Sequence, residues 1–261
     1  MRWAILADVH ANLEALTAVL DHLGEWEGAR VICAGDIVGY GPDPEACAAL
    51  LKSRRVACVV GNHDERVLGR IEPTHSAAVA AVGWAWTRRA LSTESLSWLA
   101  SLPLVLRPSA EIAVFHGAWE NTQTYVASAR AAKELLNHAV VRAPTARLIV
   151  CGHTHQPTMA ANGLGFLPLT AGESGVDTRR LRGTWLLNPG SVGQPRDGTH
   201  LARYVRYDDD LGRVESFALP YEHERTREKR IRAGLPDPPH EEVPEKRPRR
   251  VAVARWLHWT L

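Results

Sequence analysis

The feature that most constrains this chain is a repeated unit in which a short apolar run ends abruptly in a compact polar motif. Trp3–Ala7 runs into Asp8-Val9-His10, Val31–Ala34 into Gly35-Asp36, and Val56–Val60 into Gly61-Asn62-His63-Asp64. Later, Ile112–Phe115 runs into His116-Gly117, and Leu148–Cys151 into Gly152-His153-Thr154-His155. Runs this short and this apolar read as buried strands. Helical patterns separate the first three. Asn12–Leu23 places Leu13, Leu16, Val19, Leu20 and Leu23 at helical spacing, and Pro44–Lys52 carries proline in its first turn. A β-α-β-α-β opening of this kind predicts an α/β sheet with helices outside it.

The segment Thr74–Ser101 is rich in Ala, Trp and Leu and predicts two helices stopped at Leu102-Pro103, with Trp84, Trp86 and Trp98 as core rather than a stacking platform. From Glu111 the chain turns β-rich, adding Thr184–Leu187, Leu201–Tyr207 and Val214–Leu219 around a helix at Ala129–Ala139. Two sets of strands separated by a helical insertion predict two sheets packed face to face. After residue 220 the character changes. Glu222–Ala233 reads as a solvated helix and Pro236–Pro248 as irregular, while Arg247, Arg249 and Arg250 form a small basic cluster on a surface tail. The expected organisation is a domain over 1–220 and a charged, Pro-rich extension over 221–261.

Composition excludes more than it identifies. With 45% hydrophobic and 23% charged residues and a net charge of +2, the chain has the make-up of an ordinary globular protein and no marked electrostatic preference. Cys33, Cys47, Cys58 and Cys151 form no CxxC pair and sit mostly in apolar runs, which suits free core thiols in a reducing compartment. The first apolar run is too short for a signal peptide, and no stretch reaches the roughly 18 apolar residues of a membrane span. The chain therefore reads as cytoplasmic.

The five motifs carry the chemistry. Together they offer carboxylate, amide and imidazole ligands in a number that suits two cations with positions left for water and substrate. Active sites of α/β sheets gather at the carboxyl ends of strands, where each motif falls. Residues i and i+2 of an extended segment point the same way, so Asp8 with His10, and His153 with His155, can face one site. Gly35, Gly61, Gly117 and Gly152 ease tight turns beside a ligand. Asp36 can bridge two cations and cancel part of their repulsion.

The ordered set Asp8-x-His10, Gly35-Asp36, Gly61-Asn62-His63-Asp64, His116 and Gly152-His153-x-His155 resembles the calcineurin-like metallophosphoesterase superfamily over about residues 1–220. The stretches Gly35–Pro42 and Asn188-Pro189-Gly190-Ser191-Val192-Gly193-Gln194-Pro195-Arg196 are similar to its small bacterial and archaeal phosphodiesterase branch. Val38-Gly39-Tyr40-Gly41 stands where the protein phosphatase branch has Asp-Arg-Gly, which argues against that branch. The resemblance implies a four-layer α/β/β/α sandwich of two mixed sheets with a dimetal site at the sheet edges. Carried over, one ion takes Asp8, His10 and His155, the other takes Asn62, His116 and His153, Asp36 bridges them, and His63 lies beside the metals.

The expected activity is hydrolysis of a phosphodiester, including nucleotide substrates. A water between two divalent cations ionises near neutral pH, and His63 protonates the leaving group as general acid. Manganese is the preferred metal, with iron, nickel, cobalt or zinc as alternatives allowed by mixed N/O ligands. Alternatives of function are a phosphomonoesterase, a dinucleoside polyphosphate hydrolase, or a non-catalytic protein-binding scaffold of the same fold. The expected partner is a small phosphate ester or nucleotide, with no membrane, nucleic acid only as substrate, and homo-oligomerisation left open. Three residues have two readings each. Asp64 orients His63 or caps a turn, Asn12 reaches the site or caps its helix, and Arg196 clamps a phosphate or is a surface arginine.

Overall fold

The computed structural model describes residues 1–24, 26–72, 78–172 and 176–237. Runs that are apolar at every position must be buried on both faces, and the chain meets that demand by stacking two sheets between two helical layers. The first sheet holds β1 (Arg2–Leu6), β2 (Arg30–Cys33) and β3 (Ala57–Cys58) in parallel, and extends antiparallel through β11 (Ala202–Asp208), β12 (Arg213–Leu219) and β9 (Val176–Asp177). The second pairs β5 (Ile112–Val114), β6 (Leu148–Val150) and β10 (Trp185–Asn188) in parallel, flanked by β4 (Leu106–Ser109) on one side and β7 (Thr158–Ala161) and β8 (Gly165–Pro168) on the other. Their orders are β3-β2-β1-β11-β12-β9 and β4-β5-β6-β10-β7-β8.

The period-two alternation of the strands then sorts side chains into cores. Trp3, Ile5 and Ile32 meet Ile112, Val114, Leu148, Trp185 and Leu187 between the sheets. Ala4, Leu6 and Cys33 point outward beneath α1 (Leu13–Leu23) and α2 (Pro44–Ser53), in a cluster that also takes in α4 (Ala78–Ala90) and α5 (Thr93–Ser101). Ala113, Phe115 and Ile149 point the other way, under α6 (Ala129–Arg142). This is the four-layer α/β/β/α sandwich.

Four local expectations need amending. Val56–Val60 is regular strand only at Ala57–Cys58, and Gly61-Asn62-His63-Asp64 enters a helix, α3 (Asn62–Val67), instead of a simple turn. The β7–β8 hairpin was not expected, although Asn162-Gly163 between the two strands is a hairpin signal. Of the three middle tryptophans only Trp84 is buried; Trp98 packs half-buried on the helix-side core, and Trp86 is half-buried outside it. The solvated helix is α7 (His223–Arg232), which is tied to the sandwich by Lys229 to Glu14 and Asp43 and by Thr226 beside Asn12 and Glu14. Residues 238–261, with Arg247, Arg249 and Arg250, lie outside the described residues.

Side chains lace the strand-end loops together. Asn12 caps α1 by accepting from Ala15 N, and donates to Gly193 O and Tyr221 Oη. Asn188 donates to Gly152 O and Thr154 Oγ1, and Ser191 donates to Asp8 O. Asp64 is fully buried and accepts from Ile37 N, Val38 N and Gly61 N, so its carboxylate bonds hold the β2 and β3 loops together rather than orienting His63. Removing it leaves three buried N–H groups without a partner. Asp64→Ala is expected to lose about 3 kcal/mol of stability, whereas exposed Asp21→Ala stays within about 0.5 kcal/mol, both read from urea midpoints.

Candidate metal centre

The seven expected ligand residues come from five loops and one end of the sandwich, and the structure brings all of them together. Asp8, His10, Asp36 and His155 present ligand atoms that lie within 4.8 Å of one another, and so do Asp36, His116 and His153. Asp36 belongs to both groups. Asn62 joins the second, its Oδ1 2.9 Å from His116 Nε2. All seven are buried.

The spacing of two within Asp8-x-His10 and His153-x-His155 works differently from the expectation. These segments are not extended. Asp8, His10, Asp36, His153 and His155 have φ of 55, 48, 53, 71 and 58°, in the left-handed region that side chains with a Cβ avoid. Ala11 and Tyr40 share it, and among the described residues only Arg55 adopts it away from these loops. Strained backbone held by its surroundings is characteristic of functional sites. Glycine is required at Gly61 for a different reason: a Cβ there would stand 2.1 Å from Asp36 Oδ1.

Second nitrogens fix how the rings face. His116 Nδ1 donates to Ala34 O at 2.8 Å and His155 Nδ1 donates to Gln194 O at 2.6 Å, since a carbonyl can only accept. Each Nε2 is thereby turned toward the cluster. His153 Nε2 is 3.3 Å from Gln123 O, which leaves Nδ1 as its lone-pair nitrogen. His155 Nε2 lies 3.1 Å from His10 Nε2 and 3.6 Å from Asp8 Oδ1. Two buried atoms, His10 Nδ1 and Asp36 Oδ2, have no hydrogen-bond partner. Asp36 Oδ2 is 3.3 Å from His116 Nε2 and 3.6 Å from His10 Nε2.

Electrostatics follows from this crowding. Burial holds His10 and His155 well below the usual imidazole range, and pushes His63 down to about 4 and His153 to about 3. Burial raises Asp8 to about 7, aided by the Asp36 charge and opposed by His116. Burial works against ionisation of Asp36 too, but His116 and His63 outweigh it and its carboxyl is held well below the usual range. His116 is the exception among the histidines. Burial lowers it, yet Asp36 wins and lifts it to about 9. Its Nε2 faces both Asp36 Oδ2 and Asn62 Oδ1, where positive charge is wanted. Imidazole nitrogens turned inward (neutral except on His116, whose proton a cation would displace), an orphaned carboxylate oxygen and an amide oxygen are the donor set of borderline divalent cations, so the residues present fit such ions.

A cavity of about 350 Å³ opens over the cluster. His63 stands on its wall, its ring 4.9 Å from that of His10, and its Nδ1 accepts from Trp84 Nε1 at 3.2 Å. Tyr40 packs on His10 and His63 at 4.7 and 4.4 Å between ring centroids, and Tyr125 packs on His153 at 4.1 Å. Arg196 is 8% exposed, lines the cavity and donates to Tyr125 Oη at 2.8 Å. Of the three residues with two readings, Arg196 alone is in the site. Sequence reasoning missed Tyr40, Arg66, Trp84, Gln123 and Tyr125. Tyr40 belongs to the Gly35–Pro42 segment that carries the family resemblance, but the loop bearing Gln123 and Tyr125 has no motif.

Comparison with known proteins agrees with this geometry. The sequence profile of the calcineurin-like phosphoesterase superfamily domain matches residues 1–210. An uncharacterised protein of Methanocaldococcus jannaschii is 33% identical over 244 residues, covering 90% of this chain and 93% of its own. The crystal structure of a metallophosphoesterase from Sphaerobacter thermophilus is 34% identical, with a TM-score of 0.75 over 90% of this chain and 95% of its own. A hypothetical protein from Pyrococcus horikoshii shares the fold at 18% identity and a TM-score of 0.73, over 90% of this chain and 94% of its own. Fold, buried Asp/His cluster and sequence relationship converge, and the chain belongs to the calcineurin-like phosphoesterase superfamily.

Proposed function

We propose that this protein is a binuclear metal-dependent phosphodiesterase. One ion is held by Asp8, His10 and His155, the other by Asn62, His116 and His153, and Asp36 serves both. The observation that carries this reading is Asp36, the residue common to both ligand groups, whose buried Oδ2 has no hydrogen-bond partner and faces His10 and His116 at 3.6 and 3.3 Å. A buried carboxylate costs several kcal/mol unless positive charge returns to it, and His116 on one side supplies only part of that. Two divalent cations bound here supply a water that ionises near neutral pH and Lewis acidity at the phosphoryl oxygens. Manganese is the first metal to test, and four buried free cysteines suit a reducing, cytoplasmic setting.

The remaining work belongs to the protein's own side chains. Arg196, steadied by Tyr125, offers a planar guanidinium to a non-bridging phosphate oxygen. Tyr40, whose hydroxyl burial pushes up to about 12, stays a neutral donor in the cavity. In the neutral ring of His63, Nδ1 accepts from Trp84 Nε1 and the proton is on Nε2. To act as general acid the ring takes a second proton on Nδ1, releasing that bond, and as the imidazolium gives its Nε2 proton to the leaving oxygen, ending neutral. An anionic substrate beside this ring favours the imidazolium and so raises the fraction of His63 present in its acid form. A cavity of about 350 Å³ is far larger than a phosphate group needs and leaves room for organic groups on both sides of phosphorus, which favours a diester.

Three outcomes are expected. Metal-stripped protein gains bis-p-nitrophenyl phosphatase activity on adding manganese and turns over p-nitrophenyl phosphate more slowly; folded protein inert with every divalent metal contradicts the reading. His63→Ala loses about 100-fold in kcat on alkyl leaving groups and much less on p-nitrophenolate, with metal content kept; equal losses on both contradict the acid role. Cations compete with protons on Asp8, raised to about 7, and His116, raised to about 9, so affinity climbs with pH. Manganese binding by equilibrium dialysis is therefore expected to tighten at least about tenfold from pH 6 to pH 8; affinity independent of pH contradicts the ligand assignment.

A further inference from the structure

The cavity over the metal cluster shares a wall with a second cavity. Helix α3 carries His63 and Arg66 three residues apart, so both face the same side of one helical turn. The shared wall is Arg66 and Trp84, which line both; the second cavity, of about 270 Å³, lies between α3 and α4 and is bounded by Leu68, Ala81, Ala85 and, at its far end, Arg88. The Arg66 guanidinium lies 4.6 Å over the Trp84 ring, and its Nη2 donates to Gln123 Oε1 at 3.0 Å. Its Nη1 donates to Glu72 O at 3.4 Å. Stacking and these two bonds fix the plane of a group that has five N–H donors. Arg88 is anchored at the far end by a bond from Nη1 to Val67 O at 2.7 Å. The floor between the two arginines is apolar.

We infer that this second cavity is the leaving-group subsite, and that it takes a leaving group bearing a phosphate of its own on a flat, apolar body, the chemistry of a nucleotide. This rests on the phosphodiesterase reading for the direction of cleavage. His63 is the donor to the leaving oxygen, so whatever departs leaves past His63 and meets Arg66 next. A fixed guanidinium suits a phosphate better than a carboxamide or a sugar hydroxyl. The small side chains of Ala81 and Ala85 leave space for a ring. An uncharged leaving group would gain nothing from two arginines held along its path.

Binding and turnover are measured separately. Calorimetry on manganese-loaded protein compares adenosine 3′,5′-bisphosphate with adenosine 5′-monophosphate, and bis-p-nitrophenyl phosphate reports turnover. The bisphosphate is expected to bind about tenfold more tightly than the monophosphate. Arg66→Gln should bring that ratio near one, and Arg66→Lys should retain part of it. Circular dichroism confirms that each variant is folded. A ratio near one in the unaltered protein, or one that Arg66→Gln leaves in place, overturns the subsite even if bis-p-nitrophenyl phosphate is hydrolysed. A preserved preference without any turnover supports the subsite as an anion site and removes the phosphodiesterase reading instead.

Discussion

The carboxylate of Asp36 is the constraint on which the rest of this structure depends. It is fully buried, and its two oxygens have separate tasks. Oδ1 accepts from His63 N at 2.8 Å and approaches Gly61 so closely that no other residue fits there. Oδ2 lies between His116 and His10, bonded to neither. A charge taken out of water is costly unless positive charge returns to it. In the protein alone a proton on His116 partly fills that need. Divalent cations would fill it better, and the surrounding lone pairs turn toward the same place.

The fold holds this costly arrangement by spreading the work. Strand ends of both sheets supply the loops, and backbone bonds join them: Asp8 N to Gly35 O, His10 N to Asp36 O, Gly152 N to His116 O and Gly193 N to Asp8 O. The asparagine and serine of Asn188-Pro-Gly-Ser act as braces, and the arginine that follows them reaches the cavity. Seven non-glycine residues in left-handed conformation among these loops show how tightly the surroundings determine them. The C-terminal helix α7 reinforces the same region through Asn12, Glu14 and Asp43, although it stands outside the matched family domain.

Much of this was legible in the sequence because the physics was local. Buried strands advertise themselves as apolar runs, and ligands of a metal cluster must be polar residues interrupting such runs, so Asp8, Asp36, His116 and His153 stood out. Other features depended on partners distant in the chain. Nothing in Asp8-x-His10 reveals a left-handed turn, because the tertiary bonds that enforce it come from the Gly35–Ile37 loop. Asp64 looked like a partner for His63 by adjacency, but one turn of helix aims it at Ile37 and Val38. Trp84 was read as core from helical spacing and is buried, yet its indole N–H makes it part of the site. Tyr125 follows no periodic signal, since loops of this kind are positioned by what they touch.

The most direct test of a shared-carboxylate dimetal centre is the anomalous scattering of manganese in crystals of the metal-loaded protein. Two peaks are expected, one contacting Asp8, His10 and His155 and the other Asn62, His116 and His153, with Asp36 touching both. A single peak, or peaks that leave Asp36 without a contact, would contradict it.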